Sequence, residues 1–206
     1  MVSGINEQNR AFARRLAAAG LTTLLWDPYP GLTEDQREGV RVDDEAAAGE
    51  HVWCVDYLVQ LLDAPAVGVI GWCMGGRMAL TLAAREPRIG ACVAYFPTLR
   101  DPRRPTEADA IAVADRIACP VQVMYGGQDH VTSPATFGAL RAALERRSAP
   151  TITQVYPAAE HGFLSDEHQS LAANRGATRL AWPQTLAFLQ AALTEAPTLA
   201  AAHSNL

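Results

Sequence analysis

Gly71-Trp72-Cys73-Met74-Gly75-Gly76 joins a short apolar run, Val67 to Gly71, to a helically patterned stretch from about Met74 to Arg85. A glycine, a nucleophile two positions on and a second glycine two beyond that, set between strand and helix, have the form of a nucleophile elbow. The nucleophile of such a turn sits on strained backbone, and bulky residues at Gly71 and Gly75 are expected to clash with adjacent chain. The turn also puts the Cys73 thiol at a helix start, where the dipole and free N–H groups favour the reactive thiolate. The Met74 N–H is then placed to donate to an oxyanion. Taken alone, the same six residues also read as a glycine-rich turn around a packed cysteine.

Working outward, strand and helix patterns alternate. Residues 5–19 read as a helix with Phe12 and Leu16 on one face, ended by Gly20. Leu21 to Trp26 reads as a strand, broken by Asp27-Pro28-Tyr29-Pro30-Gly31. A helix is expected at about 44–63, with Val52, Val55, Leu58, Val59 and Leu62 along one face. Further strands are expected at Ile89–Phe96, Pro120–Tyr125 and Ile152–Tyr156, and helices at about 134–147 and 177–194. Short strands, apolar on both faces and separated by helices, imply an α/β fold with a mostly parallel sheet covered on both sides. Ligands bind such sheets at the carboxyl ends of the strands. One domain over residues 1–194 is expected, with residues 195–206 as a frayed tail.

Two more candidates fall at strand ends. Gly126-Gly127-Gln128-Asp129-His130 follows the strand 120–125, and Asp129 there could orient an imidazole. An Asp in that place is also a common helix cap or turn residue. Glu160-His161-Gly162-Phe163 follows the last strand, where the base of this arrangement belongs. His51, His168 and His203 read as solvated residues, and His130 is fixed beside Asp129 rather than opposite the nucleophile. Cys73, Asp129 and His161 occur in the order nucleophile, acid, base that this fold uses. Trp72, Tyr95, Phe96 and Phe163 are candidates for lining a substrate pocket, or for ordinary core packing.

Composition bounds the partners. The chain has 206 residues, 49% of them hydrophobic, with a net charge of −5. An acidic balance argues against nucleic acid, whose phosphates need a basic surface. No apolar run is long enough to span a membrane. The first ten residues lack the plan of an export signal, which points to the cytoplasm. The four cysteines form no CxxC pair, so no metal site is expected, and Cys54, Cys92 and Cys119 read as reduced, small buried hydrophobes.

The sequence resembles the dienelactone hydrolase family over nearly its whole length. The elbow at 71–76, the early stretches Ser3-Gly4-Ile5-Asn6 and Trp26-Asp27-Pro28-Tyr29, and the late stretches His161-Gly162-Phe163 and Ala181-Trp182-Pro183 carry the likeness. The resemblance implies an α/β-hydrolase fold with Cys73 as nucleophile, Asp129 as acid and His161 as base. It also implies about three strands ahead of Ser3-Gly4. The last of them lies between the stretches matching 21–26 and 67–71, and its acidic end residue falls on or before Met1. The expectation is therefore an N-terminally shortened sheet with a gap beside Val67–Gly71. The second oxyanion donor is left to the N–H of Val2 or Ser3. Where the family places two arginines for a substrate carboxylate, this chain has Pro30-Gly31 and Ser165, leaving only Arg37 or Arg41 to reach in.

The expected activity is hydrolysis of a small ester or lactone through a thioester, without cofactor or metal. Two other readings stand beside it. One is a binding domain or subunit that keeps the triad as a relic, and the other is a redox-sensing thiol at Cys73.

Overall fold

The computed structural model of the chain describes residues 4–33, 35–37, 39–100 and 106–199. Val2 and His203 lie outside the described residues, as does the tail beyond Leu199.

Helix α1 (Glu7–Ala18) opens on a reciprocal cap, in which the Asn6 and Asn9 side chains each accept the other's backbone N–H. Helix α2 (Asp44–Asp56) is capped by Asp43 and runs on through a π turn at Tyr57–Leu61. Strand β1 (Val67–Trp72) then leads through the elbow into α3 (Met74–Arg85). Strand β2 (Ile89–Tyr95), the short helix α4 (Ala110–Val113), β3 (Val121–Gln128), α5 (Pro134–Glu145), β4 (Thr151–Glu160) and α6 (Ala172–Glu195) complete the order. Ser133 caps α5, and Pro134 takes its first position, where a missing N–H costs nothing.

The four strands pair in parallel in the order β1-β2-β3-β4. Alternation along them feeds two cores. In β2, Cys92 and Ala94 pack with Leu80 of α3 and Leu140 of α5 on one face. Ala91, Val93 and Tyr95 pack with Phe12 of α1 and Trp182 of α6 on the other. Both faces are therefore apolar and covered, as a parallel sheet requires. Beyond α6, Leu199 donates its N–H to the Pro65 carbonyl and buries its side chain in the first core. No helix among the described residues is long and apolar enough to cross a membrane.

Leu21–Trp26 departs from the expectation: it is not a strand. A strand exists only where a neighbour takes its main-chain hydrogen bonds, and among the described residues β1 pairs with β2 alone. A cavity of about 810 Å³, lined by both Leu21–Trp26 and β1, opens instead, and Leu24 and Leu25 stay half-buried. Strands β3 and β4 run further than expected, to Gln128 and Glu160, so Asp129 and His161 are each the first residue past a strand.

Candidate active site

Cys73 sits between β1 and α3 with φ +56° and ψ −119°, in the left-handed region that non-glycine residues rarely adopt. Several bonds hold it there. Its N–H donates to the Tyr95 carbonyl at 3.0 Å, and its carbonyl accepts from Gly76 at 3.0 Å, Arg77 at 3.3 Å and Thr98 at 3.0 Å. A Cβ on Gly71 would stand 2.0 Å from the Gly75 carbonyl oxygen, so this position excludes every side chain. Gly75, expected to be crowded, is open. The tight position is its neighbour Gly76, where a Cβ would meet Pro97 and the Tyr95 carbonyl oxygen at 3.1 Å.

Asp129 is an acceptor for three groups. Its Oδ1 takes the N–H of Val131 and of Thr132, each at 2.8 Å, and its Oδ2 faces His161 Nδ1 at 2.8 Å. A carboxylate can only accept, so Nδ1 carries the proton and Nε2 is the nitrogen left for the nucleophile. Thr132 also donates its hydroxyl to the Pro97 carbonyl at 2.8 Å, tying the acid loop to the segment behind the elbow. Edge-on packing of Phe96, with ring centroids 5.1 Å apart, braces the imidazole.

His161 is hydrogen-bonded to Cys73, and the Met74 N–H also donates to the thiol. Burial pushes the Cys73 thiol up, but the His161 hydrogen bond and charge, with the Met74 N–H, bring it below its ordinary value. Burial pulls His161 down, while its bonds to Asp129 and Cys73 push it up to about 9. The two directions agree: each group favours the charged form of its partner, the thiol giving up its proton more readily and the imidazole holding one more firmly. His130 stands with its ring centroid 6.1 Å from that of His161 and is exposed.

A family model described as the dienelactone hydrolase family matches residues 2–193. The chain belongs to the dienelactone hydrolase family. A Salmonella typhimurium protein provisionally named a carboxymethylenebutenolidase is 32% identical over 110 residues, covering 50% of this chain and 39% of its own length. The chain thus spans well under half of that relative. A Bradyrhizobium protein provisionally named a 2-oxo-3-(5-oxofuran-2-ylidene)propanoate lactonase is 28% identical, covering 92% of this chain and 80% of its own. Among solved structures, one from Klebsiella pneumoniae, provisionally named a dienelactone hydrolase, aligns with a TM-score of 0.76 at 23% identity, over 92% of this chain and 83% of that one. The dienelactone hydrolase of Anabaena variabilis aligns with a TM-score of 0.66 at 24% identity, over 93% and 82%. These likenesses establish the α/β-hydrolase fold.

In this dienelactone hydrolase family member, the four aromatic candidates divide. Trp72 borders the cavity, whereas Tyr95, Phe96 and Phe163 are at most 1% exposed and present almost no surface to a ligand. They form a stack behind the base, with Phe163 against Phe96 at 5.3 Å and against Tyr95 at 6.2 Å. Arg37 donates to the Leu32 carbonyl and lies over the Tyr29 ring, while Arg41 is exposed. Among the described residues, no cluster of three His, Cys, Asp or Glu is placed to hold a metal ion.

Two positioning residues were not foreseen. Arg77, one turn past Cys73, is buried against Asp44, Nε to Oδ2 at 2.7 Å and Nη2 to Oδ1 at 3.1 Å. Its Nη1 donates to the Thr98 hydroxyl at 2.9 Å, and Thr98 in turn holds the Cys73 carbonyl. The signal was an arginine in an otherwise small and apolar stretch of helix. Asn174 is fully buried, accepts the Glu160 N–H at 3.0 Å and donates to the His168 carbonyl at 3.0 Å. It anchors both sides of the His161 loop, and nothing in its local sequence marks it.

Proposed function

We propose that the chain hydrolyses a small carboxylic ester or lactone through Cys73, Asp129 and His161. The observation behind this reading is the lowered Cys73 thiol hydrogen-bonded to an imidazole that a buried carboxylate orients. The Cys73 thiolate attacks the carbonyl carbon, forming a C–S bond while the carbonyl electron pair moves onto oxygen. The Met74 N–H stabilises that oxyanion. Collapse breaks the C–O bond, and the leaving alkoxide takes the proton from the His161 imidazolium. The neutral imidazole then removes a proton from water, whose oxygen attacks the thioester. Collapse expels the Cys73 thiolate and releases the acid, with His161 again protonated. Asp129 fixes the tautomer throughout.

Esters and lactones suit this machinery better than amides, because a thiolate is a good leaving group and must not be expelled before the substrate's own. The lactonase name of the Bradyrhizobium relative supports the same class. The test is a burst experiment with p-nitrophenyl acetate, followed by nitrophenol release and intact mass, with Cys73→Ala as the control. Acylation on Cys73 followed by turnover is expected. A folded chain that is never acylated would support the relic reading instead.

A further inference from the structure

At the end of the sheet away from β1, strand β4 pairs with β3, and among the described residues no strand lies beyond it. The Val121 N–H donates to the Pro150 carbonyl, and main-chain direction alternates along a strand. The groups of Ile152 and Gln154 therefore turn toward β3, and those of Thr151, Thr153 and Val155 turn outward. The outward Val155 carbonyl accepts from its own neighbour, the Gln154 side-chain amide, at 3.1 Å. Ile152 and Val155, on opposite faces of this edge, are 45% and 38% exposed. The Tyr156 hydroxyl donates to the Gln184 side chain at 3.1 Å, which sets one face of α6 beside the edge. That face carries Leu180, Gln184, Ala187 and Ala191, all exposed. From Ser148 to Ala159, and from Leu180 to Thr194, no residue is charged. Sheet edges are commonly guarded by charge, proline or a bulge. Here Pro150 stands before the outward residues, and Pro157 and the irregular register opposite Gly126 and Gln128 stand after them, with no guard between.

We propose that the β4 edge is a self-association surface, on which β4 of a second copy of this chain pairs antiparallel about a two-fold axis at Thr153. Two observations select that occupant. The chain has a net charge of −5, so two copies repel unless they meet through uncharged surface, and this edge with its α6 stripe supplies it. The edge is also complementary to itself. In the register centred on Thr153, the outward groups of Thr153 meet those of Thr153 in the other copy, and the groups of Thr151 meet those of Val155. All three outward residues are then paired, by about six main-chain bonds, and the Gln154 amide gives up the Val155 carbonyl. A register shifted by two residues leaves an outward residue of each copy unpaired. Ile152 of one copy stands opposite Gln154 of the other, and the two α6 stripes approach on the same face of the joined sheet. The surface is independent of the proposed hydrolysis, since it needs no triad residue.

The test is sedimentation velocity of the full chain over about 1–500 µM, where the mass should double with concentration. Thr153→Pro removes an outward N–H and leaves the bonds to β3 in place, and Ile152→Lys sets like charges beside the axis while keeping every main-chain group. Each should weaken association about tenfold or more, with circular dichroism unchanged. Adding Gln154→Glu to Ile152→Lys puts opposite charges face to face in this register alone. It should bring the dissociation constant back to within about threefold of the original, which a merely destabilised chain would not do. If Thr153→Pro fails to fold, the pair at 152 and 154 carries the test. Amide exchange at Thr151, Thr153 and Val155 should slow as the concentration rises. A chain that stays monomeric over the whole range would overturn the proposal. So would a dimer indifferent to Ile152→Lys, or one that Gln154→Glu does not restore. Protection of the three amides that is equal at every concentration would assign the edge to the chain's own residues, with the same consequence.

Discussion

Toward β2, strand β1 is bonded along its length, and the pairing continues through β3 to β4. Toward Leu21–Trp26, it faces a cavity. Polar order follows the same division. At the carboxyl ends on the bonded side, the Cys73 carbonyl, the Asp129 carboxylate and the His161 imidazole each have assigned partners. On the open side, leucines stay half-buried and the chain takes no regular form. The hydrogen bonds that hold Cys73, Asp129 and His161 thus come from the bonded side, while Gly71, Trp72, Met74 and Gly75 of the elbow border the cavity on the other.

That contrast can be broken by experiment. The largest effect expected is on the bonded side: His161→Ala should slow p-nitrophenyl acetate turnover on the order of 10³-fold, by removing the acid–base group. Leu24→Ala, across the cavity, should change it less than about threefold, since the side chain has no polar role. Equal losses in steady-state turnover would mean that the two sides are coupled. Next comes Arg77→Met, which leaves Asp44 buried without its counter-charge, held only by the Ala108 N–H. Urea unfolding should show a loss of about 3–5 kcal/mol. Replacing both residues together, Arg77→Met with Asp44→Leu, should recover only part of it, because Glu107 and the Ala108 N–H each still lose a partner.

Core truncation sharpens the comparison further. Leu140 is fully buried, so Leu140→Ala should cost about 2–5 kcal/mol, against no more than about 1 kcal/mol for Leu24→Ala. The smallest effect is one of pH. His161 is raised from its ordinary 6.5 to about 9, with the Asp129 bond among the causes. A raised group of this kind contributes stability that is fully present below its ordinary value and is lost as pH rises through the folded one. Asp129→Asn should therefore destabilise the chain more at pH 6 than at pH 10, as read from urea midpoints at the two pH values.

The residues of the elbow were legible because only glycine fits at Gly71 and because strand and helix flank Cys73 in sequence. Asp129 and His161 were legible from their places at strand ends, which survived errors of several residues in strand length. Leu21–Trp26 was not, because its composition encodes a strand while its conformation depends on a neighbour. Arg77 and Asn174 went unread for a different reason. Their partners, Asp44 and the Glu160 and His168 backbone, are set by the tertiary fold, and local spacing says nothing of them. The aromatics divide for the same reason: pocket lining and core packing were both open for Tyr95 and Phe163 until the elements that cover them were in place.

The four cysteines give the fold a practical consequence. Burial pushes the thiols of Cys54, Cys92 and Cys119 up, Cys119 to about 11, while Cys73 alone is brought down. Cys73 is therefore the thiol that ionises most readily, and the other three are the less reactive. A haloacetamide dye added in limiting amount would label the chain at a single position, with no cysteine removed beforehand. That dye would stand at the carboxyl end of β1, where the bonded side and the open side of the molecule meet.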